Sequence, residues 1–177
     1  MTKKKAALST REIVVFAMLG TICFLSKLLM EWAPNIHLVG MFIMVYTLVY
    51  RKKALIPIYA YVLLMGIYYG FATWWLPYIY IWTVLWAVTM LLPRSMPKKY
   101  AVPVYMAVCG LHGLCYGILY APSQAILFGL NFNGMIAWII AGFPFDALHG
   151  LGNLAAGVLI LPLTELLTKL EKGMARN

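Results

Sequence analysis

The sequence predicts an all-α polytopic membrane protein, a six-helix bundle forming one integral-membrane domain over residues 1–177. Three observations carry this prediction. The chain is 64% hydrophobic and only 11% charged, with a mean hydropathy of +0.86; a soluble domain is about half apolar and about a quarter charged. A soluble globule of this size leaves too much of its surface wet to hide such an apolar excess, so the surplus belongs against lipid. The apolar residues also fall in runs near the length a bilayer requires, about 20 residues, and short basic clusters separate those runs.

The first span is expected at about residues 10–30. Ser9 followed by Glu12 spells a capping box at its start, and Pro34 closes the loop after it. The apolar run is long and no Ala-x-Ala-type site follows, so it reads as a span and not as a cleavable signal peptide. The second span, about 37–50, is short and ends at Arg51, Lys52 and Lys53. The third covers about 54–70, with Pro57 in its first turn, where a missing N–H costs little. The fourth covers about 77–92 and stops at Pro93. The fifth covers about 100–120, with Pro122 just beyond, and the sixth about 145–170. Pro122 to Pro144 has no clear assignment. Within it, Met135–Ile140 is too short to span and reads as a re-entrant or interfacial piece.

Basic residues set the expected orientation. In the six-span scheme, 13 of the 14 lysines and arginines fall on one side: Lys3, Lys4, Lys5, Arg11, Arg51, Lys52, Lys53, Arg94, Lys98, Lys99, Lys169, Lys172 and Arg176. The positive-inside rule makes that side cytoplasmic, with both termini there. The net charge of +9 is thereby a matter of topology and does not call for a nucleic-acid partner. Cys23, Cys109 and Cys115 all lie inside spans without a CxxC spacing, which offers neither a disulfide framework nor a metal site. No Walker A sequence, HExxH spacing or Ser–His–acid arrangement is present, so the chain is expected not to be an enzyme and to need no cofactor.

The remaining polar residues gather toward the opposite, outer side, where a polar group in a membrane usually faces a protein interior or a cavity. Lys27 lies roughly 24 Å along the first helix at 1.5 Å per residue, with Glu31 one turn on. Such a pair can be a snorkelling lysine with a local ion pair or a charge offered to a ligand. Asp146, His149 and Asn153 share one face of the sixth helix, among Gly150, Gly152 and Gly157. His112, Tyr116 and Tyr120 form a row on the fifth. Phe71, Trp74, Trp75, Tyr78, Tyr80, Trp82 and Trp86 follow one another near the fourth. They suit an interfacial aromatic belt and equally a cage for a flat ring.

On these features the chain resembles the substrate-binding S-component of an energy-coupling factor (ECF) transporter. The residues carrying the resemblance are Ser9, Arg11 and Glu12, the run Ala17-Met18-Leu19-Gly20-Thr21, the Asn35-Ile36-His37 loop, and the His149/Asn153 face. The resemblance implies a six-helix S-component fold with cytoplasmic termini in a prokaryotic cell membrane. It implies capture of a vitamin or related micronutrient at the outer face, and association with a transmembrane coupling subunit and two ABC ATPases. The matching substrate positions are Trp75, Tyr78, Trp82, Tyr116, Tyr120, Asn131, His149 and Asn153, with Asn35 and His37 on a lid and Lys27 placed to meet a carboxylate or phosphate. The coupling contact falls on Ala17, Gly20 and Thr21, with threonine in place of the family's usual second alanine. The aromatic content favours a flat heterocyclic ligand. A stand-alone secondary transporter or channel, and a non-transport membrane scaffold, remain the alternatives; ATPase co-purification separates the first from the S-component, and the absence of any ligand marks the second.

Overall fold

A computed structural model describes residues 8–174, and these are all-helical apart from turns and loops. The basic residues Lys3, Lys4, Lys5 and Arg176 lie outside the described residues. Eight α-helices follow in order: α1 (Thr10–Leu29), α2 (Val39–Tyr50), α3 (Leu55–Tyr69), α4 (Tyr78–Leu91), α5 (Lys98–Leu114), α6 (Tyr116–Phe128), α7 (Phe132–Ala156) and α8 (Ile160–Met174). A 3-10 turn at Arg51–Ala54 joins α2 to α3, and another at Gly157–Leu159 joins α7 to α8.

Three stretches are long and apolar enough to cross a membrane: Thr10–Leu29, Lys98–Phe128 and Phe132–Met174. Helices α2, α3 and α4, at 12, 15 and 14 residues, fall short of the roughly 20 residues a bilayer core asks for. The shortest, α2, is also the most enclosed: Val39, Gly40, Met41, Ile43, Met44, Val45, Tyr46 and Thr47 are all buried. A helix apolar on every side belongs in the interior, and α2 forms the axis on which α1, α4, α5 and α8 pack.

Local signals hold where the chemistry is local. Ser9 Oγ accepts the Glu12 amide at 3.2 Å and the Glu12 carboxylate takes the Ser9 amide at 3.0 Å, which completes the predicted capping box. Pro57 lies in the first turn of α3, and α4 ends just before Pro93.

The stretch from Pro122 to Pro144 corrects the prediction. Both prolines lie inside helices, α6 and α7, and the expected re-entrant piece at Met135–Ile140 is part of continuous helix. The chain reverses instead at Gly129, which ends α6 in the left-handed conformation with φ 66°. Asn131 then caps α7. Proline breaks a helix chiefly by costing a backbone hydrogen bond. In an apolar setting few alternatives compete with helix, so a single missing bond is tolerated. The fifth predicted span thereby becomes α5 and α6 with a break at Cys115, and the sixth becomes α7 and α8.

Contacts between helix ends give the bundle two distinct poles. At one, Arg11 donates to Glu171 at 2.6 Å, Tyr50 to the same carboxylate at 2.8 Å, Lys98 pairs with Glu165 at 2.7 Å, and Lys53 pairs with Glu12. At the other, the Tyr120 hydroxyl on α6 donates to the Trp74 carbonyl in the α3–α4 loop at 2.9 Å, and His37 in the α1–α2 loop packs on His149. The candidate site lies toward this second pole.

Candidate functional site

Helix α7 carries the centre of the site because its glycines let it press against α5. A Cβ on Gly113 would stand 2.8 Å from Asn153 Nδ2 and 2.9 Å from the His149 carbonyl; one on Gly150 would stand 3.1 Å from Leu114. A side chain at Gly113 would force a shift, and one at Gly150 would need its neighbours on α5 to give by a few tenths of an ångström. The close approach drives the His149/Asn153 face, read from the sequence as one stripe, into the middle of the bundle.

Around that face the structure assembles a compact set of rings from four parts of the chain. His37, in the α1–α2 loop, lies 4.6 Å from His149 between ring centroids. Tyr116 lies 4.9 Å from His149 and 5.8 Å from Trp82. Trp82 touches His112 at 5.7 Å and Tyr78 at 5.6 Å. Tyr120 continues the row at 5.9 Å from Tyr116. His37, Trp82, His112, His149 and Asn153 are all buried, Asn153 completely.

Burial on this scale normally demands hydrogen-bond partners. Several polar atoms here have none among the described residues: His37 Nδ1, Trp82 Nε1, His112 Nδ1, His149 Nε2, and both amide atoms of Asn153. Each such orphan costs roughly 1–3 kcal/mol, and here they are concentrated on side chains of one cluster. The His112 Nε2 is the exception, 3.1 Å from the Ile81 carbonyl. His37 stands in the loop outside the helices, and burial, followed by the neighbouring His149 and Lys27, holds its imidazole well below the ordinary histidine range.

Two cavities flank the cluster. One, of about 350 Å³, is lined by Lys27, Glu31, Met65, Tyr69, Trp74 and Tyr78. Lys27 and Glu31 make no ion pair with each other or with any other described residue. The second, of about 470 Å³, includes Trp74, Tyr116, Tyr120, Gln124, Trp138 and Asp146 in its wall. Tyr116 and Tyr78 each join the buried cluster to one cavity.

Several expected site residues stand elsewhere. The Trp75 indole donates to the Val62 carbonyl at 2.7 Å and packs on Phe71, so it fastens the α3–α4 loop to α3; its neighbour Trp74 faces both cavities. Asn131 is exposed, and its Oδ1 takes the Gly134 amide at 2.8 Å, the usual duty of an asparagine at a helix start. Asn35 shapes the α1–α2 loop with φ 61°. Among the expected coupling-contact residues, Ala17 and Thr21 are exposed, but Gly20 is buried at the α1–α3 crossing, where a Cβ would meet that of Ala60 at 2.7 Å. Gly20 is therefore occupied by the protein's own packing.

Asp146 serves the architecture of the site. Its carboxylate accepts the Gly117 amide at 3.0 Å, one of the free N–H groups at the start of α6. A side chain on α7 thus caps the helix that begins where α5 breaks.

Trp138 went unread in the sequence because it lies in the stretch without an assignment. It stacks on Tyr120 at 5.8 Å with the rings 13° apart. Its spacing from Asp146 and His149 on one continuous helix was the available signal, hidden by Pro144.

No protein-family profile, curated protein or solved structure matches the chain. Among the described residues no group of three histidine, cysteine or acidic side chains is arranged to hold a metal ion. What the site offers is stacking surface, neutral donors and acceptors, and one nearby cation, which is the equipment for binding a flat polar molecule.

Proposed function

We propose that this chain is the substrate-binding S-component of an ECF-type importer, which captures a flat heterocyclic micronutrient in the cluster around His37, Trp82, Tyr116, His149 and Asn153. One observation carries the reading. Six buried polar atoms in one aromatic cluster lack partners among the described residues, and a ligand with ring nitrogens, carbonyls or hydroxyls would supply them. The rings give such a ligand stacking faces, and Lys27 beside Tyr78 gives an acidic substituent a counter-charge. In this reading the chain crosses the cell membrane six times, with both termini cytoplasmic. Of the shorter helices, α2 is enclosed by the others, whereas α3 packs one face on α1 and α4 one face on α2 and both turn exposed apolar side chains outward. The exposed Ala17/Thr21 face of α1 meets the coupling subunit, and ATP is hydrolysed by partner ATPases.

The test is direct. The purified protein is screened in detergent by thermal shift and native mass spectrometry against riboflavin-like, folate-like, cobalamin-like and deazapurine-like compounds. The reading expects one class to bind stoichiometrically with at least micromolar affinity, and His149→Ala or Trp82→Ala to abolish binding. No binding by any of the four classes, or binding untouched by both substitutions, counts against it. Co-purification with ATPase subunits separates the S-component from a stand-alone transporter.

A further inference from the structure

The pole opposite the ligand cluster carries a further cavity that the proposed function does not use. It has a volume of about 510 Å³, and its wall includes Arg51, Arg94, Tyr105, Thr164, Thr168 and Lys172. Three cations thus border one space. The acid in the same wall, Glu171, is already engaged: Arg11 holds one carboxylate oxygen at 2.6 Å and the Tyr50 hydroxyl the other at 2.8 Å. Arg51, Arg94 and Lys172 make no ion pair among the described residues.

Arg51 is held in place with unusual firmness. It sits at φ 55°, a left-handed backbone that favours glycine, where an arginine persists only if its surroundings over-determine it. Helix α4 grips it twice. Its Nη2 donates to the Met90 carbonyl at 2.7 Å, and its carbonyl accepts the Trp86 indole N–H at 3.0 Å. The other two guanidinium nitrogens, Nε and Nη1, are buried without partners, as is the Thr164 hydroxyl in the same wall. Nε and Nη1 lie on different edges of the guanidinium, so each offers a single charge-assisted donor of the kind that holds a phosphate or carboxylate oxygen.

We propose that this cavity binds a phosphate group, with the Arg51 guanidinium, Arg94 and Lys172 supplying positive charge around it and Thr164 a neutral donor. The cavity lies at the ends of α2, α4 and α8, among the densest basic residues of the chain; on the six-span reading proposed above, this is the depth at which an anionic phospholipid presents its phosphate. The headgroup of such a lipid and free inorganic phosphate share this chemistry, and the experiment distinguishes them.

Native mass spectrometry of the full-length protein, released from detergent, measures retention of phosphatidylglycerol against phosphatidylcholine, with and without millimolar inorganic phosphate. The variants are Arg94→Gln/Lys172→Gln, which alters only exposed side chains, and Arg51→Gln, with thermal stability as a check on folding. The expected result is selective retention of phosphatidylglycerol, weakened at least tenfold in the double variant at unchanged thermal stability. Binding of inorganic phosphate that is lost in the same variant, without selective lipid retention, assigns the site to the free ion. Equal retention of both lipids together with no phosphate binding, or retention indifferent to the double variant, overturns the proposal.

Discussion

His37 and His149 face each other at 4.6 Å between ring centroids, and each keeps one buried ring nitrogen without a partner among the described residues. One belongs to a loop, the other to the C-terminal third of the 25-residue α7. Their meeting joins the α1–α2 loop to the bundle interior, so any ligand that bridges the two also fixes that loop.

This pair should make stability depend on pH. Burial and the adjacent His149 and Lys27 depress the affinity of His37 for a proton in the folded state, whereas in the unfolded chain it titrates near 6.5. Below about pH 6.5 the unfolded state therefore binds more protons than the folded state, and stability falls as pH falls. The melting temperature in detergent should drop between pH 7 and pH 5, less steeply in His37→Gln. A variant with the wild-type slope would remove His37 from the explanation.

Asn153 is fully buried with both amide atoms unpartnered. Asn153→Ala removes that burden while opening a small void, so the two effects offset, and unliganded stability should change by no more than about 1 kcal/mol. Ligand binding should be lost. A large destabilisation with binding retained would make Asn153 a packing residue only, and equilibrium unfolding alongside ligand titration reads both.

Gly117 has no room for a side chain: a Cβ there would lie 2.1 Å from Asp146 Oδ2. Gly117→Ala should displace the carboxylate that caps α6 and destabilise the protein by about 1–3 kcal/mol. Asp146→Asn, which keeps an acceptor of the same shape, should cost less. The order of the two melting temperatures tests the cap, and the reverse order would refute it.

Asn131 caps α7 from an exposed position. Asn131→Ala should cost about 1 kcal/mol or less and leave ligand affinity unchanged. A loss of affinity at wild-type stability would return Asn131 to the binding site.

Orientation can be read by thiol labelling on a cysteine-free background. Lys52→Cys should react only after the cytoplasmic side is exposed, and Gly129→Cys from outside in intact cells. Labelling of both from one side would break the six-span scheme.

The sequence was most informative where a residue answers to its immediate neighbours or to its solvent. The capping box at Ser9, the halt before Pro93 and the turn of basic residues after α2 all follow from a few adjacent positions. The His149/Asn153 stripe was legible because helical periodicity puts those residues on one face whatever lies opposite. Pro122 and Pro144 misled because the helix-breaking cost familiar from water was applied in an apolar setting.

Composition and local order alone therefore determined the apolar, all-helical character of the protein, most of its helix boundaries and the polar stripes those helices carry. Tertiary structure decided which stripes meet. It placed Trp74 and not Trp75 at the cavities, turned Gly20 inward against Ala60, and brought His37 to His149. The physical reason is that periodicity defines the faces of a single helix but not its rotation or depth relative to its neighbours. Those are settled by close approach at small residues, here Gly113, Gly150 and Gly20.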